Sequence, residues 1–139
     1  MAAAADENAR GIPPRPTLLV WAGRALSGLA ILALAVDATG KLFVPELMIA
    51  NSPPLGLPAD PAFHRQLGVI LAVCTALYAW PRTSVLGAIL LTGYLGGAVA
   101  AHFRVGSPLA SFTLVGVYIG VVVWLGLWLR DPRVRVLFV

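Results

Sequence analysis

The chain has 139 residues, 59% of them hydrophobic and only 12% charged, with a mean hydropathy of +0.87. A soluble domain carries about a quarter charged residues, so this composition excludes an ordinary soluble enzyme, a disordered chain or a nucleic-acid module. Ten Lys and Arg against six Asp and Glu leave a formal charge of +4, yet there is no dense basic run of the kind nucleic-acid binding uses.

In chain order, residues 1–10 are small and polar and include Asp6 and Glu7, and residues 1–17 are expected to form a flexible cytoplasmic N-terminus. Acidic residues make a poor signal-peptide start, and the apolar run that follows has no convincing small-residue cleavage site, so it reads as a retained span. A helix needs about 20 apolar residues to cross the ~30 Å of bilayer hydrocarbon. Four stretches are predicted to do so: Leu18–Phe43, then 66–80, 84–103 and 111–129. The second is the shortest, and must stand nearly upright or borrow residues from the loop before it. Alternating apolar and polar strands are missing, which speaks against a membrane β-barrel. The expected fold is all-α: a single four-transmembrane-helix bundle over residues 18–130, with a short cytoplasmic tail at 131–139.

Basic residues in short flanks set orientation. The side that holds both termini carries Arg10, Arg15, Arg82, Arg130, Arg133 and Arg135, and the other side carries Lys41, Arg65 and Arg104. That bias predicts an N-in/C-in protein of a bacterial-type cytoplasmic (inner) membrane, with Trp80, Trp124 and Trp128 near the inner interface. The outer connection between the first two spans, residues 44–65, contains Pro45, Pro53, Pro54, Pro58 and Pro61. Prolines at that density are expected to exclude a regular helix, leaving either a lid or a proline-stiffened surface connection. In the third and fourth spans, Gly93/Gly97 and Gly116/Gly120 form GxxxG pairs. They predict close packing of these two spans, with self-association as the alternative.

Ionisable groups at membrane depth are candidates for function, because each is costly unless paired. Asp37 lies about 28 Å along the first span, near its outer end. Lys41 follows one turn later on the same face, so the two form either part of a site or a local ion pair over the helix end. His102 lies about 27 Å along the third span. Gln66 opens the second span, Thr113 the fourth, and His64 and Arg65 sit just beyond, so polar side chains collect at one height. His102 and Arg104 are about 200° apart around their helix, so only one can face inward, and His102 is assigned that place. Arg24 is expected to snorkel toward the inner headgroups. Tyr78, Tyr94, Tyr118, Thr75 and Thr92 read as packing hydroxyls, with a pocket role for Tyr94.

Cys74 is the only cysteine, so the chain has no intramolecular disulfide or dithiol chemistry of its own. No nucleotide-binding, serine-hydrolase or zinc-protease motif is present. A two-histidine haem would need His64, which falls in a loop. Neither a covalent nor a metal cofactor is expected. Polar groups gathered at one end also disfavour a pore.

The run Pro81-Arg82-Thr83-Ser84-Val85-Leu86-Gly87, continuing through Gly93-Tyr94-Leu95-Gly96-Gly97 to His102-Phe103-Arg104, resembles the DoxX-like family of small four-helix membrane proteins. So do Gly23-Arg24, Asp37 with Lys41, and the ending from Trp124 to Arg133. The resemblance implies recurrent polar residues at Asp37, Lys41, Tyr94, His102 and Arg104. It also suggests membrane subunits or accessory proteins, since the family takes its name from a membrane subunit of a thiosulfate:quinone oxidoreductase. Three functions are therefore expected in competition. The chain could bind a small lipophilic or quinone-like molecule at its outer mouth as a redox subunit or accessory, held by Asp37, His102, Lys41, Gln66, Tyr94 and Arg104. It could be an enzyme doing acid–base chemistry, as an isomerase or in epoxide opening, on a hydrophobic substrate with Asp37 and His102. Or it could be a non-catalytic assembly partner, working through the glycine-lined spans as part of a homo-oligomer or a complex with another membrane protein.

Overall fold

The computed structural model describes residues 16–51 and 55–138. The expectation of a flexible N-terminus, and the residues Arg10, Arg15, Pro53 and Pro54, fall outside those described. Among the described residues the elements are α1 (Leu18–Phe43), α2 (Pro45–Asn51), α3 (Pro61–Ala79), α4 (Ser84–Arg104), a π-helical turn (Leu109–Thr113), α5 (Val115–Arg130) and α6 (Pro132–Leu137). Four helices are long and apolar enough to cross a membrane: α1, α3, α4, and α5 together with its preceding π turn.

Two boundaries differ from the sequence reading. The second span begins at Pro61 rather than at residue 66. Asp60 caps it, its carboxylate accepting from Ala62 N at 3.0 Å, with Pro61 at the first helical position. Proline suits that position because its missing N–H would have had no helical partner there. The proline-rich connection is also less irregular than expected, since Pro45 opens the seven-residue helix α2. The same Asp-Pro device recurs after the last span: Asp131 accepts from Arg133 N at 3.0 Å, and Pro132 starts α6. Hydrogen bonding to Arg133 holds the Asp131 carboxyl below the usual range for an aspartate.

Successive helices are neighbours, and the last closes on the first. α1 packs on α3 and α5, and α4 packs on the same two, so α1 and α4 stand diagonally across the bundle. Small residues permit this closeness. A Cβ at Gly87 would stand 2.2 Å from the Tyr78 nitrogen, and one at Gly126 would stand 2.7 Å from the Ser27 hydroxyl. Gly116 does pack on the third span, where a Cβ would meet Val99 at 2.8 Å. Gly93 and Gly97 correct the expectation for the other pair. Nothing lies within 4 Å of a Cβ at either one, so they face away from α5.

The core consists of Leu34, Leu71, Tyr78, Leu91, Val123 and Leu127, with Ala30, Ala38 and Ala88 where backbones come close. Tyr78 supplies its polar centre. Its hydroxyl donates to the Val123 carbonyl at 2.8 Å, leaving Ser27 to donate to Tyr78 at 3.0 Å. Inside a bilayer no water stands ready for these groups, so each must find a protein partner.

Candidate functional site

Polar side chains at the loop end, where α1 and α4 finish, fall into separate groups. On α1, Lys41 and Asp37 form an ion pair one turn apart, with Lys41 17% exposed and Asp37 39% exposed. The sequence order favours it, because an acid four residues before a base places the two side chains together on one helix face. Diagonally across the bundle on α4 stands Tyr94. Tyr94 is half-buried against the core. Among the described residues its hydroxyl has no hydrogen-bond partner, unlike that of Tyr78 one helix away.

His102 belongs to a second group. Its Nδ1 shares a 3.2 Å hydrogen bond with the Ser107 hydroxyl, and its ring stacks on Phe112 with centroids 6.1 Å apart. Thr113 donates to the Ser107 carbonyl at 3.2 Å. Together these contacts tie the end of α4 to the π turn across Gly106, whose φ of +68° is a left-handed value that glycine adopts readily. The π turn itself bonds back to Pro108 and Leu109, a widened geometry that lets α5 start while the Ser107 carbonyl stays available.

The heights of these groups follow from the packing. Gly68 on α3 lies against Ala38 and Lys41 of α1, and Tyr78, ten residues further along α3, lies against Gly87 of α4. Ten residues span about 15 Å of helix, which sets residue 97 of α4 level with Ala38 and Lys41. Asp37 is therefore nearer in height to Tyr94, while His102 lies roughly one to two turns closer to the loop end. The two depths looked equal in the sequence only because Leu18 and Ser84 were given a common baseline. In the structure Gly23, not Leu18, is level with the helix end at Arg130.

The remaining expected residues are more peripheral. Gln66 is exposed on α3. Arg104 is exposed too, but its Nη2 donates to the Leu55 carbonyl at 2.8 Å, so it straps the loop between α2 and α3 onto the end of α4. His64 donates from Nδ1 to the Asp60 carbonyl at 3.2 Å, within the first turn of α3. The structure thus pairs Asp37 with Lys41, sets Tyr94 at a similar height across the bundle, places His102 apart with Ser107, and leaves Gln66 and Arg104 at the rim.

At the opposite end the sequence supplied basic and aromatic residues but not their contacts. There Arg130 donates to the Tyr78 carbonyl at 3.1 Å and lies over the Tyr78 ring at 5.1 Å. Arg24 sits over the Trp21 ring at 5.1 Å. The spacing of Gly23, Ser27, Ala30, Leu34 and Ala38 along α1 carried the signal for Ser27, since those positions share one helical face.

Four apolar helices in a closed ring, with ionisable groups gathered at the two ends, define a small helical membrane-bundle protein. Residues 25–126 match the model of the DoxX-like family, and the chain belongs to that family. No curated protein and no solved structure matches it.

Proposed function

We propose that this DoxX-like protein binds a small lipophilic molecule with a quinone-like polar head at its loop end, serving as a subunit or accessory of a redox system. The observation that supports this most is the Tyr94 hydroxyl, unpartnered among the described residues and at about the height of the Asp37–Lys41 pair across the bundle. A hydroxyl at membrane depth normally hydrogen-bonds a neighbouring helix, as Tyr78 does. One that does not is a donor in reserve for a ligand oxygen. Lys41 can supply a second donor, and Asp37 can accept from a hydroxyl on a reduced ligand head. The apolar residues around them suit a hydrocarbon tail.

Calorimetric titration of the detergent-solubilised protein with a short-tailed benzoquinone tests this reading. Tyr94→Phe should weaken binding about tenfold, the equivalent of ~1.4 kcal/mol, while Tyr118→Phe, at an exposed position, should match the parent. Equal binding by the parent and Tyr94→Phe, or no binding by the parent, would overturn it.

The end bearing α6 is read as cytoplasmic. Support comes from Arg82, Arg130, Arg133 and Arg135 gathered there, because basic flanks are retained on the cytoplasmic side.

A further inference from the structure

A large cavity among the described residues lies away from the Asp37 group. It is a groove of 680 Å³ between α4 and α5, open toward the surrounding bilayer, with Gly96, Gly116 and Gly120 along it and Trp124, Trp128 and Phe138 at one end. From Gly116 to Trp128 the groove follows α5 for about 18 Å. One leaflet of hydrocarbon is about 15 Å deep, half of the ~30 Å core. The groove therefore has the length of a single acyl chain entering from one side of the membrane.

The end of the groove that carries Trp124, Trp128 and Phe138 is assembled from three elements. Trp124 donates from Nε1 to the Thr92 hydroxyl at 2.9 Å, which fixes the indole between α4 and α5. α6 turns back so that Phe138 meets Trp124 edge-on, with ring centroids 6.3 Å apart. The Arg135 guanidinium lies 5.7 Å from the centre of the Trp128 ring, at the mouth of the groove. Arg135 spends Nε on the Trp128 carbonyl and Nη2 on the Leu129 carbonyl, and its Nη1 has no hydrogen bond among the described residues. Arg24, Arg82, Arg130 and Arg133 stand at the same end, where Asp131 is the one acid among the described residues.

We infer that this groove holds one acyl chain of an anionic phospholipid, with the lipid phosphate at Arg135. The occupant is identified by charge and length together. A guanidinium with free N–H groups, set in a field of arginines, favours an anionic headgroup, and the groove beneath it is one leaflet long. A second copy of the chain fits less well. Two copies related by an axis along the membrane normal would bring their arginine-rich ends to the same height and oppose like charges. The inference uses none of the residues proposed to hold the quinone-like head, so the two readings stand or fall separately.

Native mass spectrometry of the full chain in mild detergent, titrated with dioleoylphosphatidylglycerol or dioleoylphosphatidylcholine, provides the test. One tight site is expected, with the anionic lipid bound at least about tenfold more strongly. Arg135→Gln should remove most of that preference. Gly96→Leu should weaken both lipids, because nothing lies within 4 Å of a Cβ there and the side chain would fill the groove without displacing neighbours. Circular dichroism should show both variants as helical as the parent. Equal affinity for the two lipids would overturn the inference, and so would undiminished lipid binding in Gly96→Leu. A dimer mass that disappears in Gly96→Leu would overturn it too, by assigning the groove to a second copy.

Discussion

Three tyrosines that look alike in the sequence have three different fates, and the difference lies in their partners. The Tyr78 ring is fully buried and its hydroxyl joins Ser27 of α1 to the Val123 carbonyl of α5. Tyr118 is 51% exposed on α5. Tyr94 is half-buried, with its hydroxyl unpartnered among the described residues. Removing the Tyr78 hydroxyl takes away the partner of Ser27 and leaves the Val123 carbonyl with its helical bond alone, so Tyr78→Phe should cost about 1 kcal/mol or more, above the ~0.6 kcal/mol average of a membrane-helix hydrogen bond. Detergent-induced unfolding of the purified protein measures this, and an unchanged midpoint would show that neither partner depends on Tyr78. Which tyrosine would do what was not legible in the sequence, because periodicity gives a residue's direction around its own helix and leaves the facing helix unspecified. The ion pair was legible. Asp37 and Lys41 are four residues apart on one helix, so no tertiary information was needed to join them.

At the scale of elements, all four spans were visible as apolar runs, and α1 has the bounds expected of it. The errors fall where helix ends are set by capping rather than by hydropathy. Both Asp60-Pro61 and Asp131-Pro132 are cap-plus-proline starts, and both were readable signals that hydropathy concealed: His64, Arg65 and Gln66 in the first turns of α3 look like loop residues. The glycine pairs show a different limit. A GxxxG spacing marks a smooth face but does not say what meets it, and Gly93/Gly97 face away from α5, while Gly87 is the third-span position pressed hardest against a neighbour. Gly87→Ala should therefore destabilise the protein by about 1–3 kcal/mol or more through overpacking. Gly97→Ala should stay within about 0.5 kcal/mol of the parent, as an unconstrained surface change does. Comparison of the two unfolding midpoints checks this, and equal effects would contradict the packing of α4 on α3.

For the whole molecule, the ring order of the helices decides which residues can cooperate. α1 and α4 stand diagonally, so Asp37 and Tyr94 share a height without sharing a helix face, while His102 turns to the π turn that leads into α5. The depth arithmetic foresaw a polar loop end but treated it as one cluster. Relative helix heights depend on contacts such as Gly23 with Arg130, and no single span records them. Orientation belongs to this scale as well. With Cys74 replaced by alanine and a cysteine introduced by Pro108→Cys in the short loop after α4, a membrane-impermeant maleimide should label intact cells. Labelling only after the membrane is opened would place that loop in the cytoplasm and reverse the assignment.

The most direct measurement of the central claim is native mass spectrometry of the protein released gently from its own membrane. The account predicts a bound small molecule that is lost in Tyr94→Phe and in Asp37→Asn but retained in Gly96→Leu, which separates it from any lipid in the α4–α5 groove. A parent protein carrying no small molecule, or one held equally well by the Tyr94→Phe and Asp37→Asn variants, would contradict it.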